Sequence, residues 1–92
     1  MTAEEKLEVL KCDVQLLTSA NDVLLKKLLS QAEEAIKTEG ITLIKNDISC
    51  DMAVISYAAY LFRKRASAET TMPRFLRYQL NNILFKQKGG AL

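Results

Sequence analysis

Leu24, Leu25, Leu28, Ala32, Ala35 and Ile36 recur at steps of three and four, and Lys26, Lys27, Gln31, Glu33, Glu34 and Lys37 fill the positions between them. That spacing predicts an amphipathic helix with one apolar stripe. Glu33 stands four residues before Lys37, the favourable order for a surface pair, and Gly40 follows as a left-handed stop. Upstream, Thr18-Ser19-Ala20-Asn21-Asp22 reads as the start of this helix, capped by Ser19 with Asp22 in a weak capping box, or by Asn21. An earlier helix is predicted from Ala3 to Lys11, with Leu17 as its outer limit, placing Leu7 and Leu10 on one side.

A different pattern occupies Met52–Phe62. MAVISYAAYLF is apolar except for Ser56 and is followed at once by Arg63-Lys64-Arg65. As a helix it is apolar on every side, and such a helix must be covered on every side. A short chain has few other helices with which to do so. The helix is therefore either the central post of a small bundle or partly covered by another chain, and the expectation is that sibling subunits supply the remaining cover. Asn46 or Asp47 caps this helix, which runs to about Arg65, and the bases at its end suit the negative pole of the helix dipole.

Between the two helices, Ile41-Thr42-Leu43-Ile44 is β-prone but short. It reads as an extended connector, around residues 41–45, that packs Ile41 and Leu43 inward; the alternative is a small strand paired with another chain. After a small polar loop, Ala66–Met72, Pro73 falls in the first turn of a last helix, where its missing N–H costs nothing. Leu76, Leu80, Ile83 and Leu84 share one face of that helix, and Arg74, Arg77 and Asn81 lie on another. Gly89-Gly90 ends it, leaving a flexible tail at about 89–92. The fold class expected is all-α: a small bundle of three main helices plus a short N-terminal helix, in a single domain spanning residues 1–92.

Composition narrows the chemistry. With 92 residues, 49% of them hydrophobic, the chain belongs among ordinary globular domains. A domain this size buries roughly 60–65% of its unfolded surface, so its core is modest. There is no histidine, so the usual general base and the usual zinc ligand are both missing. Cys12 and Cys50 match no metal or redox spacing and read as reduced thiols, with a disulfide as the minor option. No glycine-rich phosphate loop occurs. Glu33-Glu34 falls on a helix surface, and Asp47/Asp51 at a helix start, where carboxylates are stabilising in any case. The expectation is a protein that is not an enzyme and binds no cofactor or metal. The first residues, MTAEEKLEVLK, are acidic and contain no uninterrupted apolar core, so no secretory leader is expected. Nor is any run long enough to span a bilayer.

The net charge of +2 hides a polarity: residues 1–51 hold ten acids and six bases, whereas residues 52–92 hold one acid, Glu69, and seven bases. Such a division suits contact with a negative surface, or head-to-tail packing of identical chains. Tyr57, Tyr60, Phe62, Arg63, Lys64 and Arg65, with Arg74, Phe75, Arg77 and Tyr78, gather aromatics and cations on the last two helices. Tyr and Arg are enriched at interface hot spots, which favours a protein contact. Phosphate contact is the second reading, and a third makes the tyrosines core residues and the arginines solubilising ones. A helix-turn-helix reader fits poorly, because its turn is normally three or four residues and Ala66–Met72 is longer.

Three segments carry a family resemblance. NDVLLKKLLSQAEEAI follows a short leading helix. ISYAAYLFRKR has spaced aromatics and ends in arginine. MPRFLRYQLNNILFKQK opens on proline and closes on an aliphatic, Asn, aliphatic, aromatic sequence. In this order they resemble the small helical head–tail connector proteins of tailed bacteriophages and prophages, also termed adaptor, head-completion or DNA-packaging proteins, over about residues 3–88. The resemblance implies a homo-oligomeric ring, dodecameric in the virion, stacked beneath the portal protein. The ring would extend the DNA channel, complete the head after packaging and meet the next neck or tail protein, with DNA passing through unread. It places Tyr57, Tyr60, Arg63, Arg65, Arg74 and Arg77 at subunit or portal contacts, and the protein at the virion neck after synthesis in the host cytoplasm. The alternatives are a small nucleic-acid-binding or regulatory helical protein, and another helical interaction module such as an antitoxin-like or scaffold subunit.

Overall fold

The computed structural model describes residues 1–89, and these form four α-helices and one short 3-10 turn, with no strand among them. The first helix, α1 (Ala3–Val14), opens on a complete capping box. Thr2 Oγ1 accepts from Glu5 N at 3.1 Å, and Thr2 N donates to Glu5 Oε1 at 2.8 Å. It ends between the two expected limits because Gln15 turns left-handed, φ 60°, and Leu16 N–H returns to Lys11 O at 3.0 Å.

The 3-10 turn Ser19–Asn21 then leads into α2 (Asp22–Thr38). Asn21 occupies the cap position, but its side chain makes no capping hydrogen bond, and the Ser19–Asp22 box does not form. Asp22 is instead drawn across to Lys11, whose Nζ lies 3.1 Å from Asp22 Oδ1. The expected Glu33–Lys37 pair is also replaced. Glu33 faces Lys6 of α1 at 3.3 Å, and Lys37 approaches Glu34 at 3.9 Å. Leu25, Leu28, Leu29, Ala32 and Ile36 form the buried stripe, which gains Leu29 over the predicted set, while Leu24 and Ala35 are only half-buried.

Gly40 ends this unit with φ +96°, as its sequence position implied. A Cβ built there meets Lys88 Nζ at 3.4 Å and Cε at 3.6 Å. Gly40→Ala is therefore expected to destabilise the domain by about 1 kcal/mol, through the left-handed backbone more than through the contact. The check is a lower urea midpoint with an unchanged m-value.

Residues 41–44 are extended and unpaired by any strand, with Ile41 buried, Leu43 half-buried and Ile44 exposed. Gln87 clamps this connector: its Nε2 donates to Thr42 O at 2.7 Å, and its Oε1 accepts from Thr42 N at 2.8 Å. The amide thus occupies the main-chain groups that strand pairing at Thr42 would need.

Asp47 wins the competition to cap α3 (Ile48–Ala66), its Oδ1 accepting from Ser49 N at 2.9 Å and Cys50 N at 3.4 Å. Asn46 takes a left-handed φ of 62° instead. α3 packs substantially against each of the other three helices. Ion pairs fix the directions. Asp51 near the start of α3 lies 2.7 Å from the Met1 amine, and Arg63 near its end lies 3.6 Å from Asp13, so α1 runs parallel to α3. The Lys6–Glu33 and Lys11–Asp22 pairs make α2 antiparallel to α1.

The last helix, α4 (Arg74–Lys88), buries Leu76, Leu80 and Ile83 and leaves Leu84 half-buried. Pro73 stands just ahead of the helix, at its cap position, with φ −59° and ψ 143°. Its carbonyl accepts from Leu76 N at 3.1 Å and Arg77 N at 3.2 Å. Gly89 closes α4, and the remainder of the tail expected at about 89–92 lies outside the described residues.

Met52–Phe62 is the central post of the bundle, and the cover expected from sibling subunits is supplied in large part by its own chain. Ala53, Val54, Ile55, Ala58, Ala59 and Tyr60 are buried; Met52, Ser56, Tyr57, Leu61 and Phe62 are half-buried; none is exposed. Ala53, Val54, Ile55, Ala58 and Ala59 on α3, with Ala32 on α2, are at most 2% exposed, so the chain's own elements cover most of its most apolar segment.

Candidate assembly surface

The side chains singled out in the sequence divide into three environments. Tyr60 is a core residue, only 9% exposed, with the Tyr57 ring edge-on to it at 5.9 Å and Lys64 Nζ 5.7 Å above its ring. Arg77 is engaged within the chain, its two terminal nitrogens reaching Glu39 Oε1 at 2.7 Å and Oε2 at 3.1 Å. This forked geometry is the strong form of a carboxylate pair, and it raises the Arg77 pKa further above its ordinary value. Arg63, Arg65 and Arg74 are exposed. Of these, Arg63 donates to Asp13 O at 3.3 Å, whereas Arg65 and Arg74 have no carboxylate within ion-pair distance among the described residues.

Tyr57 is half-buried between these groups. Its pKa lies above the usual 10.0, first because burial penalises the phenolate, then because Glu39 and Tyr60 add negative potential. The folded state therefore holds this proton more tightly than the unfolded chain. The stabilisation is complete below pH 10 and is lost as pH rises through the folded value. Tyr57→Phe is expected to flatten the alkaline loss of stability, measured by urea titration across that window, and to remove one late transition from the near-ultraviolet titration.

The exposed aromatic surface lies on α4, while Leu17, Val23, Ile44 and Ile48 are exposed apolar residues elsewhere on the chain. Phe75, Tyr78 and Phe85 are 64%, 62% and 67% exposed. With Asn82 they follow steps of three, four and three, one stripe of a helix on the side away from Leu76, Leu80 and Ile83. Arg74 and Lys86 flank the stripe, and α4 contains no acid. A shallow groove beside it is lined by Ile44, Gln79, Asn82 and Lys86. Phe75 and Tyr78 belonged to the predicted cluster, but Phe85 did not. The spacing of the aromatics relative to the buried leucines is the signal that finds it.

A second groove lies between α2 and the end of α3, floored by Leu24, Leu28 and Leu61 and rimmed by Lys27, Lys64 and Arg65. On the other side of the molecule, α1 presents the reverse charge. Both of its lysines turn inward, Lys6 to Glu33 and Asp51 and Lys11 to Asp22, leaving Glu4, Glu5 and Glu8 outside. Glu5 is held below its ordinary pKa by its hydrogen bonds with Thr2.

Among the described residues no three His, Cys, Asp or Glu side chains gather as a metal site, and no helix is long and apolar enough to cross a membrane. Cys12 is exposed and Cys50 buried, both as free thiols. No protein-family model, curated protein or solved structure matches the chain.

Proposed function

We propose that this protein is a structural, non-enzymatic subunit of the head–tail junction of a tailed bacteriophage. Identical copies form a ring between portal and tail that extends the DNA channel and completes the packaged head. Ring copy number, twelve by resemblance, and the portal and tail partners come from the sequence likeness over residues 3–88. The observation that carries the reading is the α4 stripe of Phe75, Tyr78 and Phe85, three large aromatics in line on one exposed helix face. Scattered single apolar residues on a surface need no explanation, but aligned aromatics flanked by arginine and lysine have the make-up of a binding face. That face replaces the uncovered central helix as the reason to expect partners.

Deleting the chain from the genome that encodes it tests the proposal. The expected result is DNA-filled heads that fail to join tails, with the protein found at the neck of intact particles. Normal tailed particles lacking the protein overturn it. Lys27, Lys64 and Arg65, which have no carboxylate within ion-pair distance among the described residues, rim the leucine-floored groove and favour a second reading, a small nucleic-acid-binding protein. Binding of the isolated chain to duplex DNA that falls steeply with salt, together with absence from particles, supports that reading instead.

A further inference from the structure

The reading of this chain as a self-assembling subunit leaves open which surfaces meet, and the two single-sign helices answer it. We infer that the aromatic stripe of α4 in one copy docks on the acidic outer face of α1 in the next. The pairing rests on the proposed assembly role and adds its chemistry.

Folding leaves α1 and α4 with opposite charges on their outer sides. α1 contains two lysines, and both are consumed inside the molecule by Asp22, Glu33 and Asp51. Its outer side keeps Glu4, Glu5 and Glu8, with half-buried Val9 and exposed Cys12 between the acids and the end of the helix. α4 is the mirror case. Arg77 is consumed by Glu39, leaving Arg74 and Lys86 beside Phe75, Tyr78 and Phe85 with no acid on the helix. The α4 face is aromatic and cationic and the outer α1 face is acidic, so the two carry opposite signs. Complementary potentials of this kind select partner and register.

The same charges reject the obvious competitor. Two α4 stripes laid antiparallel set Phe75 against Phe85, but they also bring two cationic helices together with no carboxylate on either to separate them. Like charges placed together across an interface cost several-fold in affinity or more. Size is compatible as well. The aromatics from Phe75 to Phe85 span about 15 Å at the helical rise, and α1 is about 18 Å long. Because the two faces are different surfaces of one molecule, the contact is head-to-tail. It propagates, closing to a ring or continuing as a filament according to the rotation between copies.

The exposed Cys12 on α1 provides the test, since Cys50 is buried. Asn82 sits in the stripe between Tyr78 and Phe85, so Asn82→Cys puts a thiol at the centre of the proposed contact. Under copper-phenanthroline oxidation the full chain carrying Asn82→Cys is expected to give a ladder of disulfide-linked dimers, trimers and larger species. The ladder is expected to vanish when Cys12→Ser is added. A product that stops at the dimer and survives Cys12→Ser means α4 meets α4, and overturns the inference. So does a chain that stays monomeric and unlinked at high concentration. Arg74→Glu with Lys86→Glu is expected to weaken self-association at least about tenfold by sedimentation, and Glu4→Lys with Glu8→Lys in the same chain to recover most of it. Failure of that recovery, with all variants folded by circular dichroism, also overturns the inference. The assembly role itself is judged separately. A protein absent from particles sinks the role whatever the ladder shows, and one present at the neck without the ladder leaves the role and sinks this contact.

Discussion

Ile55→Ala is expected to lower the unfolding free energy by about 3 kcal/mol, within the usual range for truncating a buried isoleucine. Ile55 is 2% exposed in the middle of the helix against which the other three pack, so the lost methyl groups leave a cavity that the small alanines around it cannot fill. A domain of this length has roughly 5–14 kcal/mol of stability in total, so the loss is a large fraction of it. At about 4–8 °C per kcal/mol, the melting temperature falls by roughly 12–24 °C. Ile48→Ala on the same helix is the control. Ile48 is 60% exposed, and its truncation is expected to stay within about 0.5 kcal/mol. The pair also tests whether α3 is sheltered by its own chain. The Ile55→Ala loss is expected to be independent of protein concentration, because intramolecular contacts supply the cover. A loss that shrinks at high concentration would return the sheltering role to neighbouring copies, as the sequence pattern first implied.

The helices were legible because their signals are local. Leu24 to Ile36 has one apolar stripe, Asp47 stands at a cap position, Gly40 follows a helix, and Pro73 precedes one; each is a short-range constraint that folding had no reason to override. Two things were not legible, for one shared reason. Whether Met52–Phe62 is sheltered depends on which residues the other helices bring against it, and buried small residues such as Ala32, Ala53, Ala58 and Ala59 give little signal in a pattern that counts large apolar ones. Likewise, Glu33 and Asp22 were assigned to their own helix, where sequence neighbours compete for them, but the structure takes both across to α1. Single-residue spacing says which cations and acids a helix has, not which of them tertiary contacts will neutralise. The net charge of the two halves was visible from the start. The unopposed acids of α1 and cations of α4 became visible only once the internal pairs had been subtracted.

Lys11 is where that subtraction has its largest energetic consequence. Its side chain is 9% exposed, and its Nζ lies 3.1 Å from Asp22 Oδ1, whose own side chain is 27% exposed. Removing one partner of a fully buried pair costs about 3–5 kcal/mol, because the other charge is left without compensation. Here Asp22 keeps access to water, so Lys11→Ala is expected to cost about 2 kcal/mol, part of it from the aliphatic stem that packs beneath the charge. Lys11→Met separates the two contributions by keeping the stem and discarding the ammonium. The double variant Lys11→Met with Asp22→Asn removes both charges, and its stability is expected to recover to within about 1 kcal/mol of the parent, as apolar or neutral replacements of buried pairs commonly do. A coupling of about 1–2 kcal/mol from the complete cycle, little changed by added salt, is the signature of a sheltered pair. A coupling below about 0.3 kcal/mol places it with ordinary exposed pairs. In that outcome Lys11 is free to swing outward among Glu8 and its neighbours, and the single-sign face of α1, on which the proposed contact with α4 depends, no longer exists.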